Sequence, residues 1–221
     1  MKLRYLGIVF SVAFLFVLSA SANAATIQPY TANSSFAVDS ADQPGTGAAV
    51  TSSALWAGSA TNLNNGGGGG YENGITVAAG LQPGDYVTYT FDLTNAGNGW
   101  DITGITSYAS WDTASGGRSR QGYSVTATLK NGKTVNVLPA QTYVDGTDSA
   151  ATKVEISGLQ LSGVTSLTFS DFVSAPAPGA GNIYHEIDVF GTASQVPEPS
   201  TLLMIVTGIS AILAYAWRKR K

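Results

Sequence analysis

The sequence predicts an all-β sandwich between two terminal segments of different character. Three observations support this fold class. Short runs alternate apolar and polar residues, turn residues separate them at intervals of roughly 8 to 15 residues, and no sustained helical period occurs between Ala24 and Thr201. Period-two alternation is typical of a strand that buries one face. Many short strands divided by turn signals are typical of a β-sandwich.

The predicted strands follow one another along the middle of the chain. The clearest is Tyr86–Leu93, in which four large apolar residues alternate with Tyr, Thr and Asp. Asn131-Gly132 joins two alternating runs and predicts a hairpin, because both residues tolerate positive φ. The full set of predicted strands is Thr26–Tyr30, Ser35–Val38, Tyr86–Leu93, Trp100–Tyr108, Tyr123–Leu129, Thr134–Leu138, Lys153–Ile156, Ser166–Phe172 and Tyr184–Phe190.

Two glycine-containing stretches need to be distinguished from phosphate-binding loops. Asn62–Gly70 ends in five glycines, which predict a flexible loop because ordering them costs too much entropy. Ala127–Thr134 fits a relaxed phosphate-loop pattern, but such a loop requires a helix directly after its Thr. The residues that follow Thr134 are strand-like, so we interpret this stretch as part of a hairpin.

Composition excludes several classes of function. Residues 25–196 hold five cations and thirteen acids, a net charge of −8, and an acidic domain repels nucleic acid. The chain contains no cysteine, so disulfides, thiolate nucleophiles and cysteine metal sites are excluded. About 170 residues remain between the terminal segments, enough for one well-buried core.

The N-terminus has the three parts of a secretory signal peptide. Lys2 and Arg4 precede the apolar run Leu6–Leu18, and Ala22-Asn23-Ala24 is a small-x-small cleavage site. We therefore expect residues 1–24 to be removed after Ala24, leaving an exported domain over residues 25–195.

The C-terminal tail, residues 196–221, contains three consecutive features. Two prolines in Val196-Pro197-Glu198-Pro199 interrupt any strand or helix. Thr201–Trp217 carries no charge and, as a helix of roughly 25 Å, is near the short limit for crossing a bilayer. A cationic cluster then predicts a cytoplasmic end, with the domain outside the inner membrane. The cluster consists of Arg218, Lys219, Arg220 and Lys221.

This order of features resembles the PEP-CTERM sorting tail, which is also called an ice-binding-protein C-terminal domain without implying any binding of ice. The resemblance implies a sorting signal of Gram-negative bacteria that make exopolysaccharide. It also implies an exosortase-type membrane protease as partner. The protein would be anchored in the inner membrane until processed and then lie at the cell surface or outside the cell. An ordinary, uncleaved membrane anchor is the alternative.

A second resemblance covers the last strands. Gly99–Ile105, Tyr108–Asp112 and Glu186–Gly191, in this order, are similar to bacterial discoidin-like, galactose-binding-domain-like modules. The resemblance implies a jelly-roll sandwich. That fold hosts sugar-binding, lipid-binding and purely structural modules, so it does not define the ligand.

The loop Trp111–Gln121 is the predicted ligand-binding site. It combines an aromatic face with planar donors and acceptors, which suits a sugar, and loops on a rigid sandwich often carry binding. The candidate residues are Trp111, Asp112, Arg118, Arg120 and Gln121. In the alternative, Trp111 closes the end of the core and Arg118 folds back onto Glu186.

A structural Ca²⁺ is implied by the second resemblance, in which a carboxylate near the last strand ligates the ion. Glu186 is the matching residue, and we expect it to share a strand face with Tyr184, Asp188 and Phe190. Asp39, Asp42 or Asp85 would supply further oxygens. The alternative is an ion pair between Glu186 and Arg118 or Arg120.

No catalytic residue is predicted. His185 is the only histidine, and the chain has no G-x-S-x-G motif and no second histidine at metal-ligand spacing. The sequence therefore predicts an exported, non-enzymatic surface or matrix protein associated with exopolysaccharide. The alternatives are an adhesive or structural matrix component without a small ligand, and a glycan hydrolase, which would need two positioned carboxylates.

Overall fold

The computed structural model describes residues 25–32, 48–55, 57–65, 79–110, 118–145, 151–175, 181–195 and 201–219. Within these ranges the protein has ten strands, a short 3₁₀ helix at Ala60–Asn64 and one α-helix. The strands are β1 Thr26–Ala32, β2 Ala49–Ser52, β3 Ala57–Gly58, β4 Ala79–Leu81, β5 Val87–Thr90, β6 Trp100–Ser110, β7 Gln121–Leu129, β8 Thr134–Val144, β9 Ala151–Ser170 and β10 Asn182–Ala193, followed by helix α1 at Thr201–Lys219.

The strands form two sheets that share β9. The first half of β9 lies between β1 and β6, and the second half lies between β5 and β7. One sheet therefore has the order β1-β9-β6-β10-β4-β3, and the other has the order β2-β5-β9-β7-β8. The change of sheet falls between Gly158 and Gly163, both at positive φ (77° and 70°), where glycine avoids the clash of a Cβ.

A single apolar core lies between the two sheets. Ile105, Val154 and Ile187 from the first sheet and Val125 and Leu167 from the second are all buried in it. Burying each such side chain stabilises the fold by about 1.5–3 kcal/mol. The predicted all-β sandwich is confirmed, and the alternation of each strand explains why one of its faces joins this core.

The sandwich has two distinct ends. The loop end is formed by the end of β6 at Ser110, the start of β7 at Gln121, the end of β8 at Val144 and the start of β10 at Asn182. The tail end is formed by the other ends of the same strands together with the Gly158–Gly163 segment. Both Ala25, before β1, and Gln195, after β10, lie at the tail end.

Most predicted strands lie within observed ones. The Asn131-Gly132 hairpin is confirmed, with Gly132 at φ 80°, and β8 follows it directly, which agrees with rejecting a phosphate loop there. The predicted strands Lys153–Ile156 and Ser166–Phe172 correspond to the two halves of β9. Ser35–Val38 lies outside the described residues. Strands β2, β3 and β4 were not predicted.

Helix α1 covers the uncharged run of the tail. It begins at Thr201 and ends at Lys219, so the predicted helix at 201–217 is confirmed as a helix. Among the described residues, however, no helix is long and apolar enough to qualify as a membrane span. The predicted transmembrane character of 201–217 is therefore corrected, since only 17 uncharged residues precede Arg218 and a span typically takes about 20.

Candidate functional site

The loop end holds the described part of the predicted ligand site. Trp111 and Asp112 lie outside the described residues. Arg120 is half-buried, and its Nε lies 2.9 Å from Oδ1 of Asp145, an exposed carboxylate. The guanidinium also donates to the Ser174 carbonyl oxygen (3.3 Å) and to the Thr142 hydroxyl (3.4 Å). Arg120 thus joins the ends of β7 and β8 to the segment after β9, and its carboxylate partner is Asp145, not Glu186.

Gln121 has a different environment from the one expected of a ligand-binding residue. It is 0 % exposed, and its side-chain amide donates to the Thr152 carbonyl (3.0 Å) and the Thr152 hydroxyl (3.0 Å). Its Oε1 accepts a hydrogen bond of 2.5 Å from Ser107. A side chain with these internal partners does not reach a ligand, so Gln121 belongs to the interior that supports the loop.

An aromatic cluster lies directly under the loop end. The ring of Tyr123 makes edge contacts with Tyr143 (4.9 Å between centroids), Phe169 (5.6 Å) and Tyr184 (6.3 Å), and its hydroxyl lies 2.9 Å from the Ser107 hydroxyl. Burial raises the pKa of Tyr123 and raises that of Tyr143 to about 12, so both phenols stay neutral at physiological pH. The cluster gives the loops a rigid, uncharged base.

A β-bulge at the start of β10 changes which residues share a face. Tyr184 pairs with Ala109 and Glu186 with Tyr108, so one extra residue, His185, is inserted between the pairs. Tyr184 lies in the core, whereas Glu186 comes before the core residue Ile187 in the alternating part of the strand. The expectation that Glu186 shares a face with Tyr184 is therefore wrong, because the bulge interrupts the alternation.

Glu186 and Asp188 are both fully buried on β10. Within the described ranges, no group of three or more His, Asp or Glu side chains is arranged to hold a metal ion. Asp39 and Asp42 lie outside those ranges. Asp85 accepts hydrogen bonds from the Ser53 hydroxyl (3.0 Å) and the Gln82 backbone N–H (3.0 Å), so both of its oxygens serve a turn. The structural Ca²⁺ stays a prediction.

His185 is held in a buried polar contact. Its Nε2 lies 2.8 Å from the Ser110 hydroxyl and 3.3 Å from the Ser110 carbonyl oxygen. Burial lowers the pKa of His185, and the contact with the Ser110 backbone opposes this effect in part. The imidazole is therefore neutral in the folded protein at neutral pH.

Stability should fall as the pH is lowered below about 6.5, the usual pKa of histidine in an unfolded chain. The unfolded state takes up a proton there before the folded state does, because the pKa of His185 is lowered on folding. Urea midpoints measured from pH 7.5 to 5.5 should decrease, and His185→Gln should flatten this decrease. Equal pH dependence in both proteins would contradict the assignment, and the chain has no other histidine to confuse the result.

The point at which the chain leaves the sandwich is fixed by a small hydrogen-bonded cluster. The Ser194 N–H donates to the Gly99 carbonyl (2.9 Å), and the Ser194 hydroxyl donates to the Asp101 carboxylate. The Gly163 N–H donates to the Ser194 hydroxyl (3.0 Å). Gly99 has φ 87°, and an added Cβ would lie 2.5 Å from the Gly163 carbonyl carbon, so only glycine fits.

This exit cluster, formed by Gly99, Asp101, Gly163 and Ser194, was not predicted from the sequence. Its members come from three distant segments that meet only in the folded sheet. The signal available in the sequence was the Gly-Trp-Asp at residues 99–101, which was used only for the family resemblance. The cluster ties the last ordered residues after β10 to β6 and β9.

Three solved structures represent those with a similar overall shape. CpGH89CBM32-5 from Clostridium perfringens, in complex with GalNAc-β-1,3-galactose, has 14% identity and a TM-score of 0.45, covering 68% of this chain and 99% of that one. The lectin domain of lectinolysin, complexed with Lewis B antigen, has 12% identity and a TM-score of 0.46, covering 69% and 99%. Allantoicase from Saccharomyces cerevisiae has 16% identity and a TM-score of 0.44, covering 66% and 41%.

At these scores no residue role or ligand passes from the solved structures to this chain. The fold rests on its own strand pairing, and the chain spans about two fifths of the length of allantoicase. Comparison with curated proteins by sequence gave no match.

The comparison with protein families gave a match at the tail. The model of the PEP-CTERM protein-sorting motif matches residues 195–221, which begin directly after the exit cluster and include all of α1. This confirms the resemblance stated from the Pro-Glu-Pro triplet, the uncharged run and the terminal cations. The chain therefore carries a PEP-CTERM protein-sorting motif at residues 195–221, joined to a β-sandwich domain.

Proposed function

We propose that this chain is an exported, non-enzymatic protein of the cell surface or extracellular matrix whose sandwich binds carbohydrate in exopolysaccharide. The observation that carries the proposal is the sorting motif at residues 195–221, which follows the last strand after one turn of ordered chain. A chain with such a motif is exported and then sorted at the membrane. Processing by an exosortase-type protease would release the sandwich to act outside the cell.

The order of the segments supports this use of the motif. Ser194 is hydrogen-bonded to β6 and to the turn of β9, so the motif starts from a fixed point on the domain. The domain's two chain ends leave at the tail end, on the side opposite to the loops between β6 and β7. The loop end therefore faces away from the sorting segment and is accessible to an extracellular ligand while the tail is engaged.

We place the carbohydrate contact of the proposal at the loop end. Asp145 is largely exposed and Arg120 partly so, and together they form a planar ion pair at the rim. Arg118, also partly exposed, lies two residues before Arg120. Guanidinium and carboxylate groups provide donors and acceptors for sugar hydroxyls. Trp111 and Asp112, from the same predicted loop, would add an apolar face and a further acceptor.

Retention on exopolysaccharide prepared from the protein's own host tests this proposal. The wild-type chain should be retained in affinity electrophoresis, and Trp111→Ala should abolish retention while changing the melting temperature little. Tyr86→Ala is the matched control, since Tyr86 is an exposed aromatic of the other sheet (46 % exposed) and should keep full retention.

Two results would contradict the proposal. Absence of retention by the wild-type chain would favour an adhesive or structural matrix component without a saccharide ligand. A loss of about 3–5 kcal/mol of stability in Trp111→Ala, as for a buried aromatic, would mean that Trp111 closes the core instead.

A further inference from the structure

We propose that the tail end carries a second binding site, an open groove that takes an acidic sugar residue of a uronic acid type. The groove has a volume of about 380 Å³, within the range of roughly 300–1,000 Å³ that is usual for small-ligand sites. It is lined by the turn between β7 and β8, the Gly158–Gly163 segment, the approach to β6 and the end of the exit segment. It lies at the opposite end of the sandwich from the proposed loop site.

The groove wall is ordered by backbone hydrogen bonds. The Lys130 N–H donates to the Gly163 carbonyl (2.7 Å), which joins the β7–β8 turn to the β9 turn. Within the β7–β8 turn, the Gly132 N–H donates to the Leu129 carbonyl (2.8 Å), and Oδ1 of Asn131 accepts from the Lys133 N–H (2.9 Å). The side chains that face the groove therefore stand on a fixed frame.

The lining combines the groups that recognise a sugar. Asn98, Asn131 and Gln195 contribute planar amides, Ser162 contributes a hydroxyl, and Leu129 contributes apolar surface. Amides and hydroxyls both donate and accept, so they can satisfy the hydroxyls of a sugar ring. An apolar surface beside them suits the C–H face of the ring.

Charge selects an acidic sugar over a neutral one. Lys130 lines the groove, and Lys133 lies on the same turn. The two ion pairs found among the described residues use Arg120 and Lys153, not these two lysines. A carboxylate in the groove would therefore gain a charge-assisted hydrogen bond from a lysine that has no competing acid in those pairs.

Two features keep this attraction local. The exported domain has a net charge of −8, so an anion is repelled by most of its surface and attracted only where cations are grouped. Asp101 is the carboxylate bonded to a groove residue, and its Oδ1 accepts from the Gly163 N–H (3.3 Å) and from the Ser194 hydroxyl. These donors hold part of its charge within the exit cluster.

Calorimetry of the full chain in detergent with a galacturonate oligosaccharide tests the site. Lys130→Ala should lower the affinity at least about tenfold, and Lys130→Arg should keep it within about threefold, because it conserves the charge. Lys133→Ala is the matched control. It removes the same charge from the same turn but outside the groove, and it should change the affinity less than about twofold at 150 mM salt.

A second variant tests the groove without changing the charge. Ser162 is exposed, so Ser162→Trp should fill the groove and abolish binding, with a melting temperature within a few degrees of the wild type. Dextran, a neutral polysaccharide, should not bind.

Three outcomes would overturn the proposal. Equal losses in Lys130→Ala and Lys133→Ala would mean diffuse attraction without a site. Binding to phosphatidylglycerol vesicles but not to the galacturonate oligosaccharide would make the patch a membrane contact. Full binding by Ser162→Trp would place the saccharide elsewhere, and retention on the host exopolysaccharide by the same variant would leave the proposed function intact while excluding the groove.

Discussion

Tyr123→Ala should destabilise the sandwich by about 3–5 kcal/mol, the usual cost of removing a large buried aromatic. Tyr123 is 0 % exposed and contacts aromatic rings from β8, β9 and β10 at once. Its loss would leave a cavity between the sheets directly under the loop end. Chemical denaturation followed by tryptophan fluorescence measures the difference in the free energy of unfolding.

Two further variants separate packing from hydrogen bonding at this position. Tyr123→Phe removes the contact with the Ser107 hydroxyl and should cost only about 1 kcal/mol. Tyr86→Ala removes the same ring from an exposed position and should cost about 0.5 kcal/mol or less. If Tyr123→Ala were as mild as Tyr86→Ala, the two sheets would not pack around this ring.

The buried position of Tyr123 could be read from the sequence, because it stands at one end of a run that alternates Tyr, Val and Ala with Ser and Thr. Strand β7 follows that alternation into the core. The Asn131-Gly132 turn was equally predictable, since its two residues tolerate positive φ. Such features depend only on neighbours along the chain.

Features set by distant partners could not be predicted. The bulge at His185 depends on the register between β10 and β6, and nothing in the local pattern of Tyr184–Phe190 indicates an extra residue. Gln121 was expected in a binding loop because it is polar and follows one. Its burial results from the polar partners that Ser107 and Thr152 bring from other strands.

The candidate sites show the same division. The sorting tail was predictable because its three parts are consecutive in the sequence and the family model matches them. The groove beside Lys130 and the exit cluster at Ser194 were not, since their residues come from segments more than 30 positions apart. Short strands such as β3, with two residues, have too little pattern to be recognised.

The second large effect is expected at the sorting motif. Replacing Pro197, Glu198 and Pro199 together by alanine should prevent removal of the tail in the native host, because it deletes the triplet that distinguishes this motif from an ordinary hydrophobic end. Thr192→Ala, an exposed change upstream of the motif, is the control and should be processed normally. Western blotting of cell-surface and membrane fractions would show the triple variant retained with its tail.

Whether the protein is exported and sorted through its tail is tested most directly by the intact mass of the wild-type protein isolated from the surface of its native host. We expect a polypeptide that begins at Ala25 and lacks the segment after about Pro199, and therefore has none of the four terminal cations. A surface protein that still begins at Met1 and ends at Lys221 would contradict both the signal peptide and the sorting function.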